Sequence, residues 1–295
     1  MNSIELVYAI DPCFVMPLAV AVRSLLDHCT GDWKVNVYVI SDPLSEKTKQ
    51  KLLRSWNSDR LYKVAWISAN RKRIKRLVSV GHLAKSTYYR LMIGELLPNT
   101  IQKAIYVDSD IVATANITEL WQIDLCGYTI AAVGETDFNA GVLLIDLCRW
   151  RENLTGDKTI QWLLKNPDKN LTADQDALNH VFKNSWLRMD PKWNMPQWQL
   201  KAETKDAGFE GLIHYIGGTK PWHHHYQGKG RSFFFHYLDR TEWAGWRPRK
   251  TFTAMILADL RQQILSKFST VLRRESFLFK KLSDIYYGIS RFLKL

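Results

Sequence analysis

The stretch Ala104-Ile-Tyr-Val-Asp-Ser-Asp-Ile-Val-Ala113 decides how the rest of the chain is read. A short apolar run, Ala104 to Val107, is interrupted by two carboxylates with one small residue between them. Side chains on a strand alternate faces, so Asp108 and Asp110 leave the strand end on the same side. Two neighbouring carboxylates repel at neutral pH unless a cation lies between them. Hard divalent ions take oxygen ligands and commonly bridge carboxylates to phosphates. The stretch therefore predicts a metal site at the C-terminal end of a strand, shaped for a diphosphate. Taken alone, an Asp-Ser-Asp triplet reads better as a surface turn, and the surrounding chain decides between the two.

Upstream, 4–9 reads as a buried strand, 34–40 as an alternating strand and 62–67 as a third, with an amphipathic helix at 16–28 and a further helix at 46–56 between them. Alternation of strand and helix at this spacing predicts a mostly parallel sheet covered on both faces. In such sheets ligands bind outside the carboxyl ends of strands, which is where the Asp pair lies. Thr87-Tyr-Tyr-Arg-Leu-Met-Ile93 opens a further helix, with Ser86 as its N-cap. Two more strands are read at 129–134 and 141–146, and the segments 148–165 and 174–182 follow. A Trp- and Pro-rich region then leads to His214-Tyr-Ile-Gly-Gly-Thr-Lys-Pro-Trp222, a loop with a strand-like start.

With 295 residues, 46% of them hydrophobic, the chain reads as one large globular domain, or one domain with an appendage, and not as a disordered chain. The formal net charge of +12 calls for an anionic partner: nucleic acid, an acidic membrane or a phosphorylated substrate. Nucleic-acid binding would require basic and aromatic residues interleaved on one sheet, or a recognised reading motif, and neither is present. The basic run Arg71-Lys-Arg-Ile-Lys-Arg76 reads as a solvated helix face. Cys13, Cys29, Cys126 and Cys148 form no C-x-x-C pair, so free thiols in a reducing compartment are expected. No apolar run approaches the ~20 residues that cross a bilayer, and no leader peptide is read. The expected location is the cytoplasm. From about Thr251 the character changes: Ile256, Leu260, Ile264, Phe268 and Leu272 recur at helical spacing. Basic residues outnumber acidic ones there by eight to three. The region 251–295 is thus expected to be a basic amphipathic helical tail behind a globular domain of 1–250, held peripherally on the anionic cytoplasmic face of a membrane.

Five separated stretches resemble the retaining family 8 glycosyltransferases, especially bacterial enzymes of lipopolysaccharide and lipooligosaccharide synthesis. They are Thr87-Tyr-Tyr-Arg-Leu91, Tyr106-Val-Asp-Ser-Asp110, Phe138-Asn-Ala-Gly-Val-Leu-Leu-Ile145, Asp174-Gln-Asp-Ala-Leu-Asn179 and the His214 to Trp222 stretch. The resemblance implies a GT-A fold, a Rossmann-like mixed α/β sheet with helices on both faces. It also implies transfer of a hexose, galactose or glucose, from a UDP-sugar with Mn²⁺ (or Mg²⁺), onto a glycan or glycolipid acceptor. By the same resemblance Asp108, Asp110 and His214 are the metal ligands, a donor set of carboxylate and imidazole that suits manganese. Gly217 lets the backbone approach the diphosphate and Lys220 opposes its charge. Asp11 reads the nucleoside, and Arg90, Asn139, Asp174 and Gln175 surround the donor sugar. A solvated loop lysine for Lys220, a structural ion pair for Arg90 and Asp174, and loop hydrogen bonding for Asn139 and Gln175 are the plainer alternatives.

Two departures from the family pattern stand out. Cys13 replaces the Asn that follows Asp11 two residues later, and a thiol cannot reproduce an amide's paired donor and acceptor. Gly134-Glu-Thr-Asp137 joins two strands almost directly, where many bacterial members carry a longer loop, so a more open acceptor side is expected. For a retaining mechanism Gln175 is the far-face candidate, but a neutral amide is a poor nucleophile. Acceptor attack from the leaving-group side is the favoured expectation.

Overall fold

The computed structural model describes residues 2–69, 71–77, 85–167, 172–201 and 209–248. The expected boundary at 250 and the basic tail 251–295 lie outside the described residues. Strands β1 (Ser3–Ile10), β2 (Lys34–Ser41), β3 (Leu61–Ser68), β4 (Lys103–Val107), β6 (Ile130–Gly134), β7 (Phe138–Asp146) and β8 (Leu187–Arg188) form one sheet in the order β3-β2-β1-β4-β7-β6-β8. β7 pairs antiparallel with both β4 and β6, while the other pairings are parallel. The carboxyl ends of β1, β4, β6 and β8 consequently share one edge of the sheet. A second sheet is built from β5 (Ile111–Ala113), β9 (Met195–Pro196) and β10 (Leu212–His214), with β10 in the middle.

Both faces of the large sheet are covered, which explains its nearly continuous apolar strands. α1 (Val15–Asp27) and α2 (Glu46–Ser55) lie on one face, where Leu18, Val22, Leu52 and Trp56 share a core with Leu6, Ile105 and Val107. Ser45 caps α2 by accepting the Thr48 N–H. The short helices α3 (Arg71–Ile74), α4 (Ile93–Leu96) and α5 (Ile117–Gln122) connect strands. α6 (Leu147–Glu152), α7 (Thr155–Lys165) and α8 (Asp174–Val181) follow, and Leu163 and Leu178 meet Val7, Tyr106 and Leu143 on the opposite face. Leu6 with Val7 and Ile105 with Tyr106 thus divide between the two cores by the strand period of two. α9 (Arg231–Leu238) closes over the small sheet, packing Phe234 and Leu238 on Val112 and Ile213.

The structure departs from the sequence reading in two places that shape the site. The helix expected from Thr87 is a 3₁₀ segment, Lys85–Met92, that runs into α4. Its three-residue repeat puts Thr87 and Arg90 on one side, and both reach Asp174. The strand read from Gly141 begins earlier, at Phe138, because the Asn179 side chain serves both the Phe138 N–H and its carbonyl. Among the described residues no helix is long and apolar enough to cross a membrane.

Candidate active site

Asp108 and Asp110 sit in the turn between β4 and β5, at the carboxyl edge of the large sheet. The Asp108 N–H donates to the Gly141 carbonyl at 2.8 Å, and the Tyr215 N–H donates to the Asp110 carbonyl at 3.0 Å. The antiparallel register sets His214 opposite Ile111, so a residue a hundred positions downstream arrives beside the pair. Side-chain oxygens of Asp108 and Asp110 and a ring nitrogen of His214 lie within 4.8 Å of one another. His214 Nε2 is 3.3 Å from Asp110 Oδ1 and 3.9 Å from Asp108 Oδ2. Two carboxylates and one imidazole fit the donor set a divalent transition metal accepts.

The imidazole is held for this task. Asn194 Nδ2 donates to Asn139 Oδ1 at 2.9 Å, which turns Asn194 Oδ1 toward His214 Nδ1 at 2.8 Å. That acceptor places the ring proton on Nδ1 and leaves the Nε2 lone pair facing the carboxylates. Gly141 gives the ring its seat, since a Cβ there would lie 2.3 Å from His214 Cε1. Asn194 is the residue that sequence reading missed. Its only mark is a place in the Lys-Trp-Asn-Met-Pro run, which carries no spacing signal.

Lys220 is no solvated loop residue. It is buried, and its ammonium bonds Asp110 Oδ2 and, at 2.7 Å, the Tyr215 carbonyl. Burial works against ionisation of Asp110, but Lys220 and then His214 outweigh it and hold the carboxyl below the usual carboxylate range. Gly217, in the same loop, has φ +101°, a conformation that favours glycine, and open space on its Cβ side. The loop is pinned by Gln197, which exchanges two 2.9 Å hydrogen bonds with the Ile216 backbone.

A sequence profile of glycosyl transferase family 8 matches residues 5–225, three quarters of the chain and all of this site. The chain belongs to glycosyl transferase family 8. It is 28% identical to general stress protein A of Bacillus subtilis over 75% of this chain and 87% of that one. It is 26% identical to the lipopolysaccharide 1,3-galactosyltransferase of Salmonella typhimurium over 75% of this chain and 74% of the relative. Among solved structures, the galactosyltransferase LgtC in complex with donor and acceptor sugar analogues superposes with a TM-score of 0.71. The two share 22% identity, and the match covers 81% of this chain and 96% of LgtC. The fold is accordingly the GT-A fold.

In this family 8 enzyme the wall beside the Asp pair is made by Arg90. Its guanidinium lies 2.9 Å from Asp108 Oδ1 and 2.8 Å from Asp174 Oδ2, and it sits over the Tyr106 ring at 4.6 Å. Nη1 donates to the Ala140 carbonyl at 2.6 Å and Nε to the Thr87 carbonyl at 3.2 Å. Although desolvation opposes its charge, Asp108 and then Asp174 keep Arg90 protonated beyond its ordinary range. Asp174, at the first turn of α8, is pushed up to about 6 by burial, despite Arg90 and the Thr87 hydroxyl that donates to it at 2.8 Å. Gln175 Oε1 accepts the Ala140 N–H at 3.1 Å, and Asn139 Oδ1 accepts the Gly141 N–H at 2.9 Å. Asp11 follows β1, and its Oδ1 caps the next turn by accepting the Cys13 N–H at 3.0 Å. The structure thus joins Arg90, Asp108, Asp110, Asn139, Asp174, His214 and Lys220 in one contact network, while Asp11 caps a turn one strand away.

Proposed function

We propose that this enzyme is a retaining hexosyltransferase that moves galactose or glucose from a UDP-sugar to a glycan or lipid-linked glycan such as a lipopolysaccharide core. The observation that carries the reading is the Asp108–Asp110–His214 donor set with the His214 tautomer fixed by Asn194. In this reading those three residues hold Mn²⁺ or Mg²⁺, which when bound supplies positive charge against the departing diphosphate. Lys220 adds a point charge on the same side, and Gly217 lets the loop backbone approach the phosphates. Asp11 faces the nucleoside. Arg90, Asp174, Asn139 and Gln175 line the donor sugar, with Arg90 and Asp174 setting the charge there.

Retention follows from attack on the leaving-group side: the anomeric carbon–oxygen bond to the diphosphate breaks with its electron pair on UDP, the acceptor oxygen bonds that carbon on the same face, and its proton passes to a diphosphate oxygen. The engagement of Gln175 Oε1 with the Ala140 N–H supports that route, because a nucleophilic amide oxygen would have to leave this bond. The test is donor hydrolysis across a panel of UDP- and other NDP-sugars, with and without manganese. Hydrolysis of a UDP-hexose that chelation abolishes is the expected result. Equal rates in excess chelator would overturn the metal assignment, and indifference to the base would overturn the uridine assignment.

The tail 251–295 completes the proposal as an anchor on an anionic leaflet, to which its eight basic residues would supply the charge attraction. Binding of the full chain, but not of a chain ending at Lys250, to anionic vesicles at low salt is the expected outcome of co-sedimentation.

A further inference from the structure

The hairpin between β6 and β7 is tight. Gly134 pairs with Phe138, and a Cβ on Gly134 would lie 2.2 Å from the Asp137 carbonyl oxygen. The tip therefore cannot arch over its surroundings, and beside it a cleft of about 310 Å³ opens, lined by Glu135, Thr136, Asn184, Trp186 and Arg188. That volume is at the small end of ligand pockets, enough for a sugar unit. Trp186 forms a buried floor, edge-on to Phe138 at 5.2 Å and beneath the Arg188 guanidinium at 5.9 Å. The side chains of Glu135, Thr136, Asn184 and Arg188 make no hydrogen bond or ion pair among the described residues. Four exposed polar groups thus surround one concavity, where water serves them until a ligand takes its place.

Strand pairing fixes the place of the cleft relative to the reaction centre. β8 pairs parallel with β6, setting Arg188 beside Ala132, and both strands end at the same edge of the sheet as β4. β4 and β8 are three strand spacings apart in the order β4-β7-β6-β8, so at ~4.8 Å per strand the cleft is offset across the sheet by roughly 10–14 Å from the strand that carries the Asp pair. Phe138, which packs edge-on against Trp186, is followed in the chain by Asn139 of the His214 network. A guanidinium and a carboxylate each meet vicinal hydroxyls with two parallel hydrogen bonds. Their charges cancel, so the lining suits a neutral, hydroxyl-rich group and gives a phosphate no net attraction.

We propose that this cleft is a saccharide subsite that holds a neutral sugar unit of the acceptor one or more residues away from the hydroxyl that is glycosylated. The inference rests on the hexosyltransferase reading and adds a position and a chemistry for the acceptor.

The test is backbone-amide NMR of the full chain with lactose, maltose, cellobiose and, separately, inorganic phosphate, each with and without UDP and Mg²⁺. The expected result is that at least one disaccharide shifts the amides of 134–136 and 184–188. In Arg188→Ala its apparent affinity should fall about tenfold, the loss of one or two charge-assisted hydrogen bonds, with UDP affinity unchanged. Arg188 and Glu135 are exposed, so their replacement spares the core. The proposal is overturned if no disaccharide moves these amides, if only phosphate does, or if the shifts survive in the Glu135→Ala, Arg188→Ala double variant. Failure of UDP itself to bind would instead count against the hexosyltransferase reading, because the disaccharide shifts without UDP are scored independently.

Discussion

Asp110 and Asp174 are both buried carboxylates of the candidate active site, each beside a cation, yet they titrate in opposite directions. Asp110 is held below the ordinary range, whereas Asp174 rises to about 6. The difference lies in how each cation is spent. The Lys220 ammonium points its N–H groups at Asp110, and His214 adds a second partner. Arg90 is shared between Asp108 and Asp174, and its N–H groups are directed at the Thr87 and Ala140 carbonyls. Asp174 Oδ2 is close to the guanidinium but accepts no aligned hydrogen bond. Two cationic neighbours, Lys220 and then His214, outweigh desolvation at Asp110, whereas at Asp174 the one shared Arg90 does not, and the Asp108 charge works against it.

The strongest test of this contrast removes the Asp110 charge. Asp110→Asn should lower turnover about a thousandfold, since a metal site supplies several kcal/mol and each ~1.4 kcal/mol is a factor of ten. From the sequence alone, loss of one of two repelling carboxylates would leave the fold intact. The structure revises that, because the variant strands the buried Lys220 ammonium and should cost about 3 kcal/mol in urea unfolding. Adding Lys220→Met should recover most of the stability and none of the activity. Wild-type stability in the single variant would show that the pair contributes nothing to folding.

Lys220→Met alone comes next. It leaves Asp110 buried with only His214 against it, and it removes the charge proposed to oppose the departing phosphate. The expected result is a fall in kcat of about a hundredfold with a smaller change in donor KM, because the opposed charge grows in the transition state. A raised KM with kcat unchanged would make Lys220 a ground-state binding residue instead.

These contrasts were only partly legible in the sequence. The period of two exposed the Asp pair, and the alternation of strand and helix exposed the sheet around it. The apolar run 104–107 read correctly as a strand because both of its faces are covered. His214 and Lys220 could be placed only through the family pattern, since the contact that brings them to Asp110 spans about a hundred residues and depends on β5–β10 pairing. Nothing local signals that pairing, because β5 and β10 are three residues each. Asn194 stayed invisible for the same reason. The 3₁₀ form of the Thr87–Arg90 turn was hidden as well, because its cause is tertiary: both side chains are drawn to Asp174.

Gly141 tests the seat of the imidazole. In Gly141→Ala the new methyl would meet His214 Cε1 at 2.3 Å and Nδ1 at 2.7 Å, so the ring must turn away from the carboxylates. Displacing a ligand's support typically costs ten- to a hundredfold in metal affinity. Calorimetric titration with Mn²⁺ should show about that loss, with Asp174 and its surroundings unaltered. Unchanged affinity would mean that His214 does not serve the cation.

The smallest effect isolates Asp174. Its folded value of about 6 exceeds the unfolded carboxyl at 3.8, so the native state binds a proton more tightly. That contribution is fully present below the unfolded value and is lost as pH rises through about 6. Asp110, with its lowered value, acts in the opposite sense, stabilising above the ordinary carboxyl range and losing that only at lower pH. The two windows do not overlap. From about pH 4 to about pH 6, on the order of 2–3 kcal/mol of wild-type stability should vary with pH through Asp174 alone. Asp174→Asn keeps an oxygen for the Thr87 hydroxyl and never ionises. Relative to wild type it should gain stability from about pH 4 to about pH 7 in urea unfolding. If the difference between the two proteins is the same at both pH values, Asp174 is not strained by its burial, and the contrast with Asp110 fails.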